Sequence, residues 1–128
     1  MAEPSSWIAI VDDDPSVLRA LARLLRARSF HVKTYQSAHE FLAVLPDGLP
    51  ECLIVDWQMP KMNGLELLRE LTRARVSVPT IIISAHGDPD AHQRYTSAGA
   101  SAFLVKPLQA SELLAAINQA RCGSKPPA

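Results

Sequence analysis

The alternation of short apolar runs with amphipathic stretches limits the possible folds of this chain more than any other feature. The runs are Trp7–Val11, His31–Tyr35, Cys52–Val55, Thr80–Ile83 and Ala102–Val105. The first, third and fourth runs are almost continuously apolar and partly β-branched, as is typical of strands that are covered on both faces. The second run alternates between polar and apolar residues, so it predicts a strand at the edge of a sheet.

The segments between the runs have the period of amphipathic helices. After the first run, apolar residues recur at helical spacing, at Val17, Leu18, Leu21, Leu24 and Leu25. Asp14, which precedes a proline, predicts the N-cap of this helix. Ser37 with Glu40, and Asn63 with Glu66, have the spacing of capping boxes, and each pair predicts the start of a further helix.

A final helical stretch, about Ala110–Ala120, completes five consecutive β-α units. Such an order predicts the α/β class, with a parallel sheet, right-handed crossovers and helices on both faces. A length of 128 residues favours one domain. We expect residues 7–121 to form it, with residues 1–6 as an N-terminal extension and residues 122–128 as a flexible tail or the start of a linker.

Composition excludes several classes of protein. The 13 basic residues balance the 13 acidic ones, so the sequence does not indicate a strongly basic nucleic-acid surface. The longest apolar runs have about five residues, far fewer than the ~20 that span a membrane, and residues 1–11 do not resemble a secretory signal. Cys52 and Cys122 lack metal-ligand spacing and predict free thiols. We therefore expect a cytoplasmic protein that does not itself bind nucleic acid or membranes.

Polar residues follow the apolar runs where a parallel sheet of this class binds its ligands, beyond the carboxyl ends of the strands. They are Asp12, Asp13 and Asp14 after the first run, Asp56 after the third, Ser84 after the fourth and Lys106 after the fifth. Converging carboxylates repel one another unless a cation joins them, and oxygen ligands of this kind suit Mg²⁺. A lysine and a hydroxyl add donors for an anion. Together these groups suit phosphoryl transfer to an aspartate.

The same residues carry a family resemblance, which extends from about Ile8 to Ala120. The motifs are VDDD ending at Asp14, DWQMPKMNG from Asp56 to Gly64, SA at Ser84, and AGASAFLVKP ending at Pro107. In this order and spacing the chain resembles the CheY-like receiver domains of two-component response regulators. It is most similar to receivers of the FixJ/NarL class, whose output domain is of the LuxR type. The resemblance implies a CheY/flavodoxin-like doubly wound (βα)5 fold, a three-layer sandwich with parallel strand order 2-1-3-4-5.

The resemblance also implies roles for the acidic residues. Asp56 would accept the phosphoryl group from a phosphohistidine of a sensor histidine kinase or phosphotransfer protein. Mg²⁺, or Mn²⁺, would be held by Asp13 directly, by Asp12 largely through water, by Asp56, and by the backbone carbonyl of Gln58. Asp14 leaves an ambiguity of one residue, and we assign the metal pair to Asp12 and Asp13 because they directly follow the last apolar residue.

The remaining family positions imply a switch. Ser84 would bind a phosphoryl oxygen, Lys106 would pair with Asp56, and Phe103 would rotate into the space that Ser84 vacates. The bond between Lys106 and Pro107 would be cis. The face formed by the fourth helix, the fifth strand and the fifth helix would then change. The implied partners are a second copy of the chain, after phosphorylation, and a LuxR-type DNA-binding domain that is absent from these residues.

Two rival functions stay open at this point. The segment from Asp12 to Ser16 loosely fits the nucleophile motif of haloacid-dehalogenase-like phosphohydrolases, in which Asp12 would be the nucleophile. A receiver that had lost phosphorylation would act only as an interaction module. We favour a signalling module that catalyses its own phosphotransfer and dephosphorylation without turning over an external substrate.

Overall fold

The computed structural model describes residues 7–45, 48–85 and 89–122. Within these ranges, strands and helices alternate strictly, which confirms the predicted α/β class. The strands are β1 (Ile8–Val11), β2 (Val32–Tyr35), β3 (Cys52–Asp56), β4 (Thr80–Ser84) and β5 (Ala102–Val105). The helices are α1 (Pro15–Arg26), α2 (Ala38–Val44), α3 (Gly64–Arg73), α4 (Pro89–Ser97) and α5 (Ala110–Cys122).

The strands pair in parallel in the order β2-β1-β3-β4-β5, as predicted. Every residue of β1, β3 and β4 is buried, whereas β2 is partly exposed at the edge. Alternate residues of each strand face opposite sides of the sheet. Ile8 and Ile10 accordingly pack in one core with α1 and α5, while Ala9 and Val11 pack in a second core with α2 and α3. The result is the predicted three-layer sandwich.

Both β3 and β4 extend one residue beyond the apolar runs that predicted them. Asp56 is the last residue of β3 and pairs with Ile83, while Ser84 ends β4 and pairs with Val105. The hydrophobic pattern reports where side chains are buried, but the ladder is made by backbone groups, so it can continue past the last apolar residue. Two predicted site residues are therefore held within the sheet itself.

The described residues can be compared with the predicted end of the last helix and with the predicted limits of the domain. Helix α5 ends at Cys122, two residues beyond the predicted Ala120. Cys122, the first residue of the predicted tail 122–128, is thus the last residue of α5. The predicted extension, residues 1–6, and the rest of the tail, residues 123–128, lie outside the described residues. In the part of the chain that the structure describes, no helix combines the length and apolar character that crossing a membrane requires.

The predicted helix starts differ in detail. The Asn63 side chain accepts a hydrogen bond of 2.8 Å from the Glu66 N–H, and the Glu66 carboxylate accepts one of 2.9 Å from the Asn63 N–H, which completes a capping box. At α2, the Ser37 hydroxyl accepts from the Glu40 N–H at 3.1 Å. The Glu40 carboxylate, however, accepts from the N–H of Gln36. The reciprocal bond of the second box thus reaches one residue further back than predicted.

We expect Asn63→Ala to lower the free energy of unfolding by about 1 kcal/mol, because it removes the acceptor for an otherwise unpaired N–H of the first turn of α3. Urea unfolding measures this loss. Asn118→Ala is the matched control, since Asn118 is exposed within α5 and its replacement should change stability by less than about 0.5 kcal/mol. Equal effects of the two substitutions would contradict the assigned role of the cap.

Candidate functional site

Three carboxylates converge at the carboxyl edge of the sheet. Asp12 and Asp13 follow β1 and Asp56 ends β3, and one oxygen from each lies within 4.8 Å of the others. The cause is the in-register pairing of β1 with β3, in which Val11 lies opposite Val55. Three hard oxygen ligands at this separation suit a divalent cation such as Mg²⁺.

Asp12 is the most buried of the three carboxylates, with 2% of its surface exposed. Burial, together with the negative charges of Asp56 and Asp13, raises its pKa to about 6. A hydrogen bond of 2.9 Å from the Asp14 N–H to Oδ1 and the positive charge of Lys106 oppose this effect. The protein therefore holds a carboxylate where its charge is unfavourable without a cation.

Asp56 shares this environment and faces a lysine. Burial raises the pKa of Asp56, the charge of Lys106 lowers it, and the charge of Asp13 raises it again, with a net upward shift. Lys106 Nζ lies 3.7 Å from Asp56 Oδ1, so the two form an ion pair that is longer than a normal hydrogen bond. The Asp56 side chain keeps 11% of its surface exposed, so its carboxylate is accessible to a reactant and is next to a positive charge.

Asp14 lies outside this cluster and serves the helix instead. Its side chain accepts hydrogen bonds from the N–H and the hydroxyl of Ser16, at 2.9 and 2.7 Å. These bonds lower its pKa. Asp14 is the N-cap of α1, as its position before a proline predicted.

The residues predicted for the switch lie on the neighbouring strands. Ser84 is almost completely buried at the end of β4. Phe103 is half-buried on β5, and its ring centroid lies 5.6 Å from that of Tyr95. The peptide bond between Lys106 and Pro107 is cis. The sheet thus brings Ser84 and Lys106 to the same edge as the carboxylates, while Phe103 lies further from that edge.

Gln58 lies in the loop between β3 and α3, with its side chain exposed over a shallow depression. This loop depends on Gly64, whose importance sequence reasoning missed. The Gly64 N–H donates to the Trp57 carbonyl at 3.1 Å, and a Cβ atom at Gly64 would lie 3.1 Å from the Asp56 carbonyl oxygen. The signal in the sequence was a glycine directly after Asn63, at the end of the DWQMPKMNG motif.

Comparisons with known sequences identify the family of this chain. The model of the response regulator receiver domain family matches residues 8–118. The chain is 40% identical over 113 residues to the transcriptional regulatory protein FixJ of Rhizobium meliloti strain 1021, a match that covers 88% of this chain and 55% of FixJ. It is 41% identical over 120 residues to the response regulator protein TmoT of Ectopseudomonas mendocina, covering 94% of this chain and 54% of TmoT.

Solved structures agree as well. The crystal structure of FixJ-N has a TM-score of 0.85 at 38% identity, with 94% of this chain and 95% of that chain covered. The response regulator StyR has a TM-score of 0.82 at 40% identity, with 90% of this chain and 58% of that chain covered. The chain spans about half the length of the first curated relatives it matches. It belongs to the response regulator receiver domain family and is a signalling module rather than a conventional enzyme.

Proposed function

We propose that Asp56 accepts a phosphoryl group from a phosphohistidine on a sensor histidine kinase or phosphotransfer protein. The convergence of Asp12, Asp13 and Asp56 beside Lys106 is the observation that carries this proposal. An Asp56 oxygen attacks the phosphorus, the bond between phosphorus and the histidine nitrogen breaks, and an aspartyl phosphate forms. The nitrogen leaves with the electron pair of the broken bond and takes up a proton.

The carboxylates that surround Asp56 are suited to a divalent cation. Asp13 would bind Mg²⁺, or Mn²⁺, directly, and Asp12 would act largely through water, with Asp56 and the backbone carbonyl of Gln58 as further ligands. When bound, the cation neutralises charge on the phosphoryl oxygens. Without a cation, burial and the repulsion from Asp13 hold the carboxylates of Asp12 and Asp56 in an unfavourable environment.

Lys106 and Ser84 would bind the phosphoryl group once Asp56 carries it. Lys106 Nζ already lies 3.7 Å from Asp56 Oδ1, so a small movement brings it to a phosphoryl oxygen carried by that residue. Ser84 ends the strand that pairs with β3, and its hydroxyl would donate to another phosphoryl oxygen. Both interactions exist fully only after transfer, so they favour the phosphorylated conformation by differential affinity.

The signal would leave through the face formed by α4, β5 and α5. Movement of Ser84 and rotation of Phe103 would change this face and favour a phosphorylation-dependent homodimer or control of an output domain. FixJ is a transcriptional regulatory protein by name, and this supports an output domain that regulates transcription, for which we propose a LuxR-type DNA-binding domain. We place the receiver unit at residues 7–121 and the protein in the cytoplasm.

The test is incubation with Mg²⁺ and a small acyl phosphate, followed by intact-protein mass spectrometry. We expect a gain in mass of one phosphoryl group that is stable to acid, labile to base and absent when EDTA replaces Mg²⁺. Peptide mapping should place the group on Asp56. Labelling of Asp12 instead would favour the phosphohydrolase, and no adduct under any condition would favour the interaction module that has lost phosphorylation.

A further inference from the structure

Tyr95 is a buried side chain through which helix α4 contacts the sheet. Among the α4 side chains that the structure describes, Asp90 and those from Gln93 to Ser97, Tyr95 alone is buried, with 1% of its surface exposed. Burial of an amphipathic face provides most of the stability of a short helix in a protein. The buried Tyr95 ring therefore helps to hold α4 in position.

The Tyr95 ring contacts aromatic residues on both sides. Its centroid lies 5.8 Å from that of Trp57, in an edge-to-face arrangement at 82°, and 5.6 Å from that of Phe103, at 40°. Trp57 directly follows Asp56 in the chain. One ring thus joins the residue next to the proposed phosphoacceptor with the aromatic residue predicted to rotate.

The Tyr95 hydroxyl is the polar group of this aromatic cluster. It is buried and has no hydrogen-bond partner among the described residues. Burial raises its pKa, so the hydroxyl stays protonated and neutral. The contacts of Tyr95 with Trp57 and Phe103 are made by its ring.

We propose that Tyr95 is a positioning residue that couples the conformation of Phe103 to the position of α4. The ring that anchors α4 also contacts Phe103, so rotation of Phe103 removes or remakes a contact on which α4 depends. Phosphorylation of Asp56 would then move α4 and Phe103 together. This inference rests on the proposed phosphorylation of Asp56.

The test compares Tyr95→Phe and Tyr95→Leu with the natural chain in a titration with beryllium fluoride and Mg²⁺, followed by backbone amide NMR. In the natural chain and Tyr95→Phe, the amides of Phe103 and of α4 should shift with the same midpoint. In Tyr95→Leu, Phe103 should still respond while the α4 amides do not. The α4 amides of the unmodified Tyr95→Leu variant should also exchange roughly two- to tenfold faster, because an aromatic pair contributes a factor of this size.

Phe41→Leu is the matched control, since Phe41 is a fully buried aromatic residue of the same core on α2. It should lower stability and leave the two responses coupled. Phe103→Leu removes the ring contact from the other side and should likewise speed exchange in α4. A normal response of the α4 amides in Tyr95→Leu would overturn the proposed role of Tyr95 but leave the proposed phosphorylation of Asp56 intact. Absence of any response and of any aspartyl phosphate in the natural chain would overturn the proposed function, and this inference with it.

Discussion

Replacement of Asp56 by asparagine is expected to abolish formation of the phosphoryl adduct. Asparagine keeps the size of the side chain but has no carboxylate oxygen that can attack phosphorus. The rate of adduct formation from an acyl phosphate should fall more than about a thousandfold, because the nucleophile itself is lost. Time-resolved mass spectrometry in the presence of Mg²⁺ measures this rate.

Asp14→Asn is the control for this substitution. It makes the same chemical change only two residues beyond Asp12, but Asp14 caps α1 and lies outside the carboxylate cluster. We expect the Asp14→Asn variant to form the adduct at a rate within about twofold of the natural chain, with a small loss of helix stability. Adduct formation that persists in Asp56→Asn, at any site, would contradict the assignment of the phosphoacceptor.

Replacement of Asp12 by asparagine should stabilise the metal-free protein and weaken its binding of Mg²⁺. The buried carboxylate has its pKa raised from 3.8 to about 6, which corresponds to a destabilisation of about 2–3 kcal/mol at pH 7. Asparagine removes this charge and can still accept the hydrogen bond from the Asp14 N–H. The same change should reduce Mg²⁺ affinity by about 10- to 100-fold, as is usual for a residue that acts through metal-bound water.

The pH dependence of stability should differ between the natural chain and the Asp12→Asn variant. Because the folded-state pKa of Asp12 is above its unfolded value, the folded state binds more protons between about pH 4 and pH 7. The metal-free natural chain should therefore become more stable, by about 1 kcal/mol, as the pH falls from 7 to 5. The raised pKa of Asp56 acts in the same direction. Asp12→Asn should gain less over this range.

Urea unfolding in EDTA at pH 7 and pH 5 measures these differences, and repetition in Mg²⁺ provides a second comparison. Mg²⁺ should stabilise the natural chain more at pH 7 than at pH 5, because protons compete with the cation for Asp12. If Asp12→Asn proved less stable than the natural chain in EDTA at pH 7, the charged carboxylate of Asp12 would stabilise the metal-free protein. The interpretation of the site as one that needs a cation would then be wrong.

Several features of the site could be predicted from the amino-acid sequence because they depend on residues that are close together in the chain. The apolar runs predicted each strand to within one residue at either end, and the position of Asp14 before a proline predicted the cap of α1. The order of strands and helices predicted which ends of the strands share an edge. The candidate residues at that edge could therefore be named from the chain alone.

Other features were missed because they depend on contacts between distant segments. Tyr95 lies in a polar stretch of the sequence, and its contacts with Trp57 and Phe103 join three separate segments. Gly64 was recognised only as part of a motif. The structure shows why glycine suits this position, since the carbonyl oxygen of Asp56 leaves little room for a side chain there. No periodicity within one segment reports such contacts.

The strands, the N-caps Asp14, Ser37 and Asn63, and the identity of the polar groups at the strand ends could be read from the chain, since they follow from hydrophobic periodicity and from local hydrogen bonding. The packing of the sheet, and no local pattern, places Asp12, Asp13 and Asp56 in one small volume and leaves Asp14 outside it. It also decided that Asp12 is buried deeply enough to raise its pKa. The physical reason is that separation and desolvation depend on how β1 and β3 pair and on what covers them, and both are set by the packed sheet.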